Sequence, residues 1–150
     1  MADFKARGFT LIELVVVITI LGILAAFAIP KFIALDSQAR IATVNGLVGT
    51  VKSAAALARS LGMATGNPAI VTMEGSPVTM LNNYPDSILL GIPNAVNVSA
   101  TDFTYVAGAA GTAGTWTRVG APTPATCTVA YTPATVGGLP PTVVATTGGC

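Results

Sequence analysis

Glu13 is the one charged residue in the run FTLIELVVVITILGILAAFAI, which extends from Phe9 to Ile29. A carboxylate at the centre of a membrane helix costs about 2.5–3.5 kcal/mol on insertion scales, and less near an end, where Glu13 stands. Either it reaches the polar interface unaided or a cation neutralises it. No lysine or arginine lies between Arg7 and Lys31. Proteolysis at Gly8-Phe9 would supply a cation, the α-ammonium of Phe9, about one helical turn from Glu13. That ammonium can pair within its own chain, or with Glu13 of a neighbouring chain after an axial shift. The second arrangement is an assembly rule, in which each incoming amine neutralises a carboxylate already buried. An uncleaved leader would leave a neutral amide there and draw Lys5 and Arg7 into an apolar bundle.

Other chemistry is poorly provided for. The chain has 150 residues and no histidine, which removes His-based acid–base catalysis, the Ser-His-Asp and Cys-His arrangements and His-containing metal sites. The remaining acids, Asp3, Asp36, Glu74, Asp86 and Asp102, are scattered, and Gly108–Gly114 lacks the lysine of a phosphate loop. No catalytic residue, cofactor or metal ligand is assigned. The formal net charge of +1 is no footprint for nucleic acid, and Lys52 and Arg59 read as a solvated helix face. Asn97-Val98-Ser99 fits a glycosylation sequon but reads as a surface turn, and the Thr- and Pro-rich end is compatible with O-glycans.

The elements that must position Glu13 follow from the composition. Hydrophobic residues make up 52% and charged residues 9%, far below the usual quarter, so charge-driven disorder is excluded. As a helix, Phe9–Ile29 is about 31 Å long, close to the hydrocarbon core of a bilayer, and too long for a buried strand. Lys5 and Arg7 place its start on the cytoplasmic side and the rest of the chain outside. An ordinary secretory signal would be cut near Ala25-Ala26-Phe27-Ala28, but here the apolar run continues through Pro30 into more helix. Gly22 and Pro30 are weak helix positions between which the helix can bend or unwind. Val44, Leu47, Val48, Val51, Ala54, Ala55, Ala58 and Leu61 repeat at helical spacing, with Asn45, Lys52 and Arg59 as a polar stripe. Phe9 to Leu61 would span about 80 Å as one helix, stopped from Gly62 by the breakers Gly66-Asn67-Pro68.

After Ala69 the pattern changes to strands. Ala69–Met73 and Val78–Leu81 flank Glu74-Gly75-Ser76-Pro77 as a hairpin. Asn82 to Asn97 reads as a loop with a short helical piece at Asp86–Leu90. Thr101–Ala107, Thr115–Val119, Thr126–Tyr131 and Thr142–Thr146 are further strand candidates. The fold class is α+β, a long N-terminal helix packed by its amphipathic half on a small antiparallel sheet.

Arg7-Gly8-Phe9-Thr10-Leu11-Ile12-Glu13-Leu14, the apolar stretch, Gly22 and Pro30 together resemble the class III signal and first helix of type IV pilins. The resemblance implies cleavage after Gly8, methylation of the new amine on Phe9, an assembly carboxylate at Glu13, and melting of the Gly22–Pro30 stretch in filaments. Lys31-Phe32-Ile33-Ala34-Leu35, Ala39-Arg40, Asn45-Gly46, Asn83-Tyr84-Pro85 and the ending around Cys127 and Cys150 look similar to the mannose-sensitive haemagglutinin pilin branch. An extracytoplasmic location favours oxidation of Cys127 and Cys150. A bridge there contributes about 3.5 kcal/mol by chain entropy. The resemblance implies the same C-terminal disulfide, two free thiols being the alternative.

The resulting organisation is a leader over 1–8, a transmembrane and filament-core helix over 9–36, and a globular pilin domain over 37–150 with helix to about residue 61. The function expected is a structural, non-enzymatic subunit of a type IV pilus. It passes from the inner membrane into a surface filament for adhesion or motility. The partners implied are identical subunits, a prepilin peptidase, the assembly machinery and the inner membrane, with a host or surface ligand compatible. A type II secretion pseudopilin or minor pilin shares the same start, and a monomeric membrane-anchored binding domain is the reading from a different class.

Overall fold

The computed structural model describes residues 9–137 and 139–150. The chain divides into two compact units, Met1–Ser37 and Gln38–Cys150. Helix α1 runs from Leu11 to Ala64, 54 residues. In the first unit its apolar side chains are exposed on every side, with Leu11 at 80% and Phe27 at 75%. A helix apolar all round has no solvent-facing side and needs an apolar surrounding from outside its own chain. The backbone stays helical through Gly22 and Pro30. The missing donor of Pro30 leaves the Ala26 carbonyl without its usual partner four residues on.

In the second unit α1 buries one stripe, Val44, Leu47, Val51, Ala55 and Ala58, as the spacing requires. Gly62 extends that stripe and is no stop. A Cβ there would stand 3.5 Å from Met80 Cε and 3.7 Å from Val71 Cγ1, so the position is kept small by packing. The helix ends two residues later in a Schellman arrangement. Gly66 and Asn67 adopt left-handed φ of 83° and 56°. The Asn67 amide donates to the Gly62 carbonyl at 2.6 Å and the Gly66 amide to Met63 at 3.5 Å.

β1 (Ile70–Met73), β2 (Ser76–Leu81) and β3 (Tyr84–Pro85) form one antiparallel sheet in the order β1-β2-β3. Two-residue turns join them, Glu74-Gly75 with φ of 49° and 81°, and Asn82-Asn83 with 51° and 69°. Left-handed φ at both central residues is what a type I′ hairpin turn requires. β3 lies inside the Asn82–Asn97 stretch expected to be loop, and its signal in the sequence is the Asn-Asn pair. The short helix expected at Asp86–Leu90 is instead α2, Ile92–Ala95, entered through Pro93. Residues 86–91 wrap into a turn because their polar groups are used elsewhere. The Ile92 amide donates to the Asp86 carbonyl at 2.7 Å. Buried Asp86 accepts the Ser87 amide at 2.7 Å and the Gly111 amide at 3.0 Å.

β4 (Phe103–Val106), β5 (Gly114–Arg118), β6 (Thr128–Thr132) and β7 (Thr142–Thr146) form a second antiparallel sheet in the order β4-β5-β6-β7. Thr126, read as strand, closes a 3₁₀ turn over Pro124–Thr126 instead, entered by a proline that cannot donate to a ladder. Inward residues of this sheet, Trp116, Val129 and Tyr131, pack with Val44, Leu47 and Val51 of α1 in the main core. Ala58, Val71 and Val78 make a smaller cluster under the first sheet. The α+β class holds, with two small sheets where one was expected.

Candidate functional site

The apolar helix begins with a reciprocal cap. Thr10 precedes the first residue of α1, and its amide and hydroxyl both donate to Glu13 Oε2, at 2.9 and 2.7 Å. The Glu13 amide donates back to Thr10 Oγ1 at 3.3 Å. This is a capping box, Thr-x-x-Glu ahead of an apolar run, and it satisfies donors that the first helical turn leaves free. The signal in the sequence is Thr10-Leu11-Ile12-Glu13, a threonine three residues before a glutamate ahead of an apolar run. Glu13 Oε1 accepts no hydrogen bond among the described residues. One oxygen is therefore fixed by its own chain and the other remains available to a cation.

Phe9 is 80% exposed at the head of the segment. Phe9, Ile12, Val16 and Val17 line with Glu13 a shallow apolar recess of about 320 Å³. Gly8, the residue expected on the other side of the scissile bond, lies outside the described residues, as do Lys5 and Arg7. Gly22 and Pro30 both lie inside α1, and a Cβ at Gly22 would meet nothing within 4 Å.

Far along the sequence, Cys127 and Cys150 form a disulfide with Cα atoms 5.0 Å apart, and both are buried. Arg40 of α1 donates to the Cys150 carbonyl at 3.1 Å, so the bridged end is also tied to the helix. The polar stripe on α1 is only partly solvated. Asn45 and Lys52 are exposed, but half-buried Arg59 donates to the Tyr84 hydroxyl and stacks over its ring at 4.8 Å. Arg59 is therefore a structural clasp. The scattered acids stay apart. Asp102 pairs with Arg118 at 3.3 Å, Asp86 is buried in the 86–91 turn, and Glu74 sits on a hairpin tip. Among the described residues no three His, Cys, Asp or Glu side chains gather as a metal site. Asn97 is exposed, and the Ser99 hydroxyl is engaged with Thr101 at 2.7 Å, as in a surface turn.

The family model for the prokaryotic N-terminal methylation motif matches residues 3–29, which contain Gly8, Phe9, Thr10 and Glu13. The N-terminal region is similar to that of type IV pilins. The chain is 44% identical over 73 residues to the type IV narrow pilus major component PilA5 of Thermus thermophilus, a match covering 47% of this chain and 63% of that protein. It is 59% identical over 36 residues to the type IV major pilin protein PilA of Myxococcus xanthus, covering 24% and 16%. It is 43% identical over 50 residues to the type II secretion system core protein G of Pseudomonas aeruginosa, covering 33% and 35%. The chain thus spans less than two thirds of the length of each of these curated relatives. No solved structure matches.

Proposed function

We propose that this chain is a structural subunit of a type IV pilus, with no enzymatic role. It is held in the inner membrane by residues 9–36 and afterwards built into an extracellular filament. The observation that carries this reading is the methylation motif over residues 3–29 on a helix whose apolar side chains find no cover in their own unit. A prepilin peptidase cuts Gly8-Phe9 and the freed amine of Phe9 is methylated, staying cationic. Thr10 then holds one oxygen of Glu13 while the other takes an ammonium, of its own Phe9 or of a neighbour's. Charge neutralisation lets the segment leave the interface for a filament interior. Lipid is as apolar as the side chains, so the hydrophobic effect contributes little to that transfer. Close packing, the ion pair and work by the assembly machinery drive it. Pro30 and Gly22 mark where the helix opens when neighbouring subunits crowd it.

The test has two arms. Mass spectrometry of filament subunits should find a chain beginning at methylated Phe9. Glu13→Ala should cut filament number and length, and unchanged filaments would remove the assembly role of that carboxylate. A type II secretion pseudopilin is the second reading, favoured by the match to the Pseudomonas core protein G. Long surface filaments containing this chain at natural expression separate the pilus from the short periplasmic structure.

A further inference from the structure

We propose that an open groove in the 38–150 unit receives the apolar helix of a second copy around Lys31, with Lys31 ion-paired to Glu74. This rests on the subunit reading above and specifies the surface through which one subunit would hold the next. The groove, about 840 Å³, lies between α1, the β1–β2 turn and the segment that follows α2. Its apolar lining includes Leu57, Leu61, Met73, Val96 and Val98, and Leu57 is 61% exposed. Polar side chains such as Thr50, Ser53, Thr72 and Asn94 share the lining, so the groove suits an occupant with both apolar and polar surface. Glu74 stands on the rim and, among the described residues, makes neither an ion pair nor a side-chain hydrogen bond. An occupant that covers this lining and neutralises Glu74 brings apolar surface and a cation together.

Residues 27–35 bring both. Phe27, Ile29, Phe32, Ile33 and Leu35 are all exposed, and Lys31 lies among them with no partner among the described residues. The other described cations fit poorly. Arg40, Arg59 and Arg118 are engaged within the chain by Cys150, Tyr84 and Asp102, and Lys52 lies between Val51, which is buried, and the polar, exposed Ser53, outside any apolar exposed run. The helix face beside the groove is also cut low. Gly46 and Gly49 lie two turns and one turn before Ser53 of the lining, and a Cβ at either would meet nothing within 4 Å. Glycine inside a helix costs about 0.5–1 kcal/mol against alanine, and no contact within the chain requires it at these two positions. Small residues let a second helix approach closely where packing rather than hydrophobicity drives association. The Lys31–Glu74 pair would then fix the axial register that uniform apolar surfaces leave undetermined.

The experiment uses the full chain as sole copy in its own assembly system, with sheared surface filaments measured against the membrane pool. Lys31→Glu and Glu74→Lys should each lower filament yield by about tenfold or more, since like charges then meet in the groove. The exchanged double variant should return to near the parent yield. Single variants that assemble normally, or a double variant no better than the singles, would overturn the proposal. A covalent readout covers the case in which charge changes merely impair folding. Lys31→Cys combined with Glu74→Cys should give filaments whose subunits run as a reducible ladder of multimers. Filaments without that ladder, or with only the dimers that each single cysteine gives, would overturn it equally. Absence of filaments from the parent chain would instead remove the subunit reading on which this one stands.

Discussion

Thr10 holds the Glu13 carboxylate through two donated hydrogen bonds, so the acid has a defined position at the head of the helix. Thr10→Val keeps the shape and removes the cap, which should weaken the first turn by about 1 kcal/mol. Filament yield should fall while Thr10→Ser stays near the parent, with cleavage at Gly8-Phe9 checked by mass spectrometry. Buried Tyr131 and half-buried Tyr105 set a second expectation. Tyr131 donates to the Pro85 carbonyl at 2.6 Å and Tyr105 to the Ser87 carbonyl at 2.5 Å. Burial, with smaller contributions from nearby groups including Asp86, pushes both phenols well above their ordinary value. A raised folded value means the unfolded chain loses its phenol protons first. The stabilisation is complete below about pH 10 and is lost as pH rises above it. Thermal melts of the detergent-solubilised chain should show that decline. The Tyr105→Phe, Tyr131→Phe double variant should flatten it and cost about 1 kcal/mol per lost hydrogen bond at neutral pH.

The elements are held in register by turns rather than by long strands. β3 has two residues, and its pairing of Leu81 with Tyr84 depends on the left-handed Asn82 and Asn83. A β-branched side chain in that conformation is strained, so Asn83→Val should destabilise the chain by about 1–3 kcal/mol, whereas Asn83→Gly should be near neutral. Denaturant midpoints measure both. The periodicity of α1 from Val44 to Ala58 was legible because apolar spacing is a local property. The strands at Ile70–Met73 and Thr142–Thr146 were legible for the same reason. The register of α2 was not. Whether residues 86–90 or 92–95 form the helix depends on Asp86 meeting the Gly111 amide, an interaction across a separation of 25 residues.

At the scale of the whole molecule, the Cys127–Cys150 bridge closes off the last strand and the Arg40 contact ties it to α1. Opening the bridge in Cys127→Ser, Cys150→Ser should lower stability by about 3–4 kcal/mol by chain entropy. That loss is read as a shifted denaturant midpoint, with reductant reproducing it in the parent chain. The sequence by itself determined the membrane-length helix, its lone acid, the motif around Gly8-Phe9 and the amphipathic stripe that follows. Each depends on residues close together along the chain, where helical spacing and bilayer thickness act directly. Tertiary structure decided what distant residues do to one another. It turned Gly62 from a stop into a packing position under Met80 and Val71, and made Arg59 a clasp on Tyr84. It divided the strands between two sheets and left a groove with Glu74 on its rim. Those outcomes follow from which surfaces meet after the chain folds, and local pattern carries no record of that.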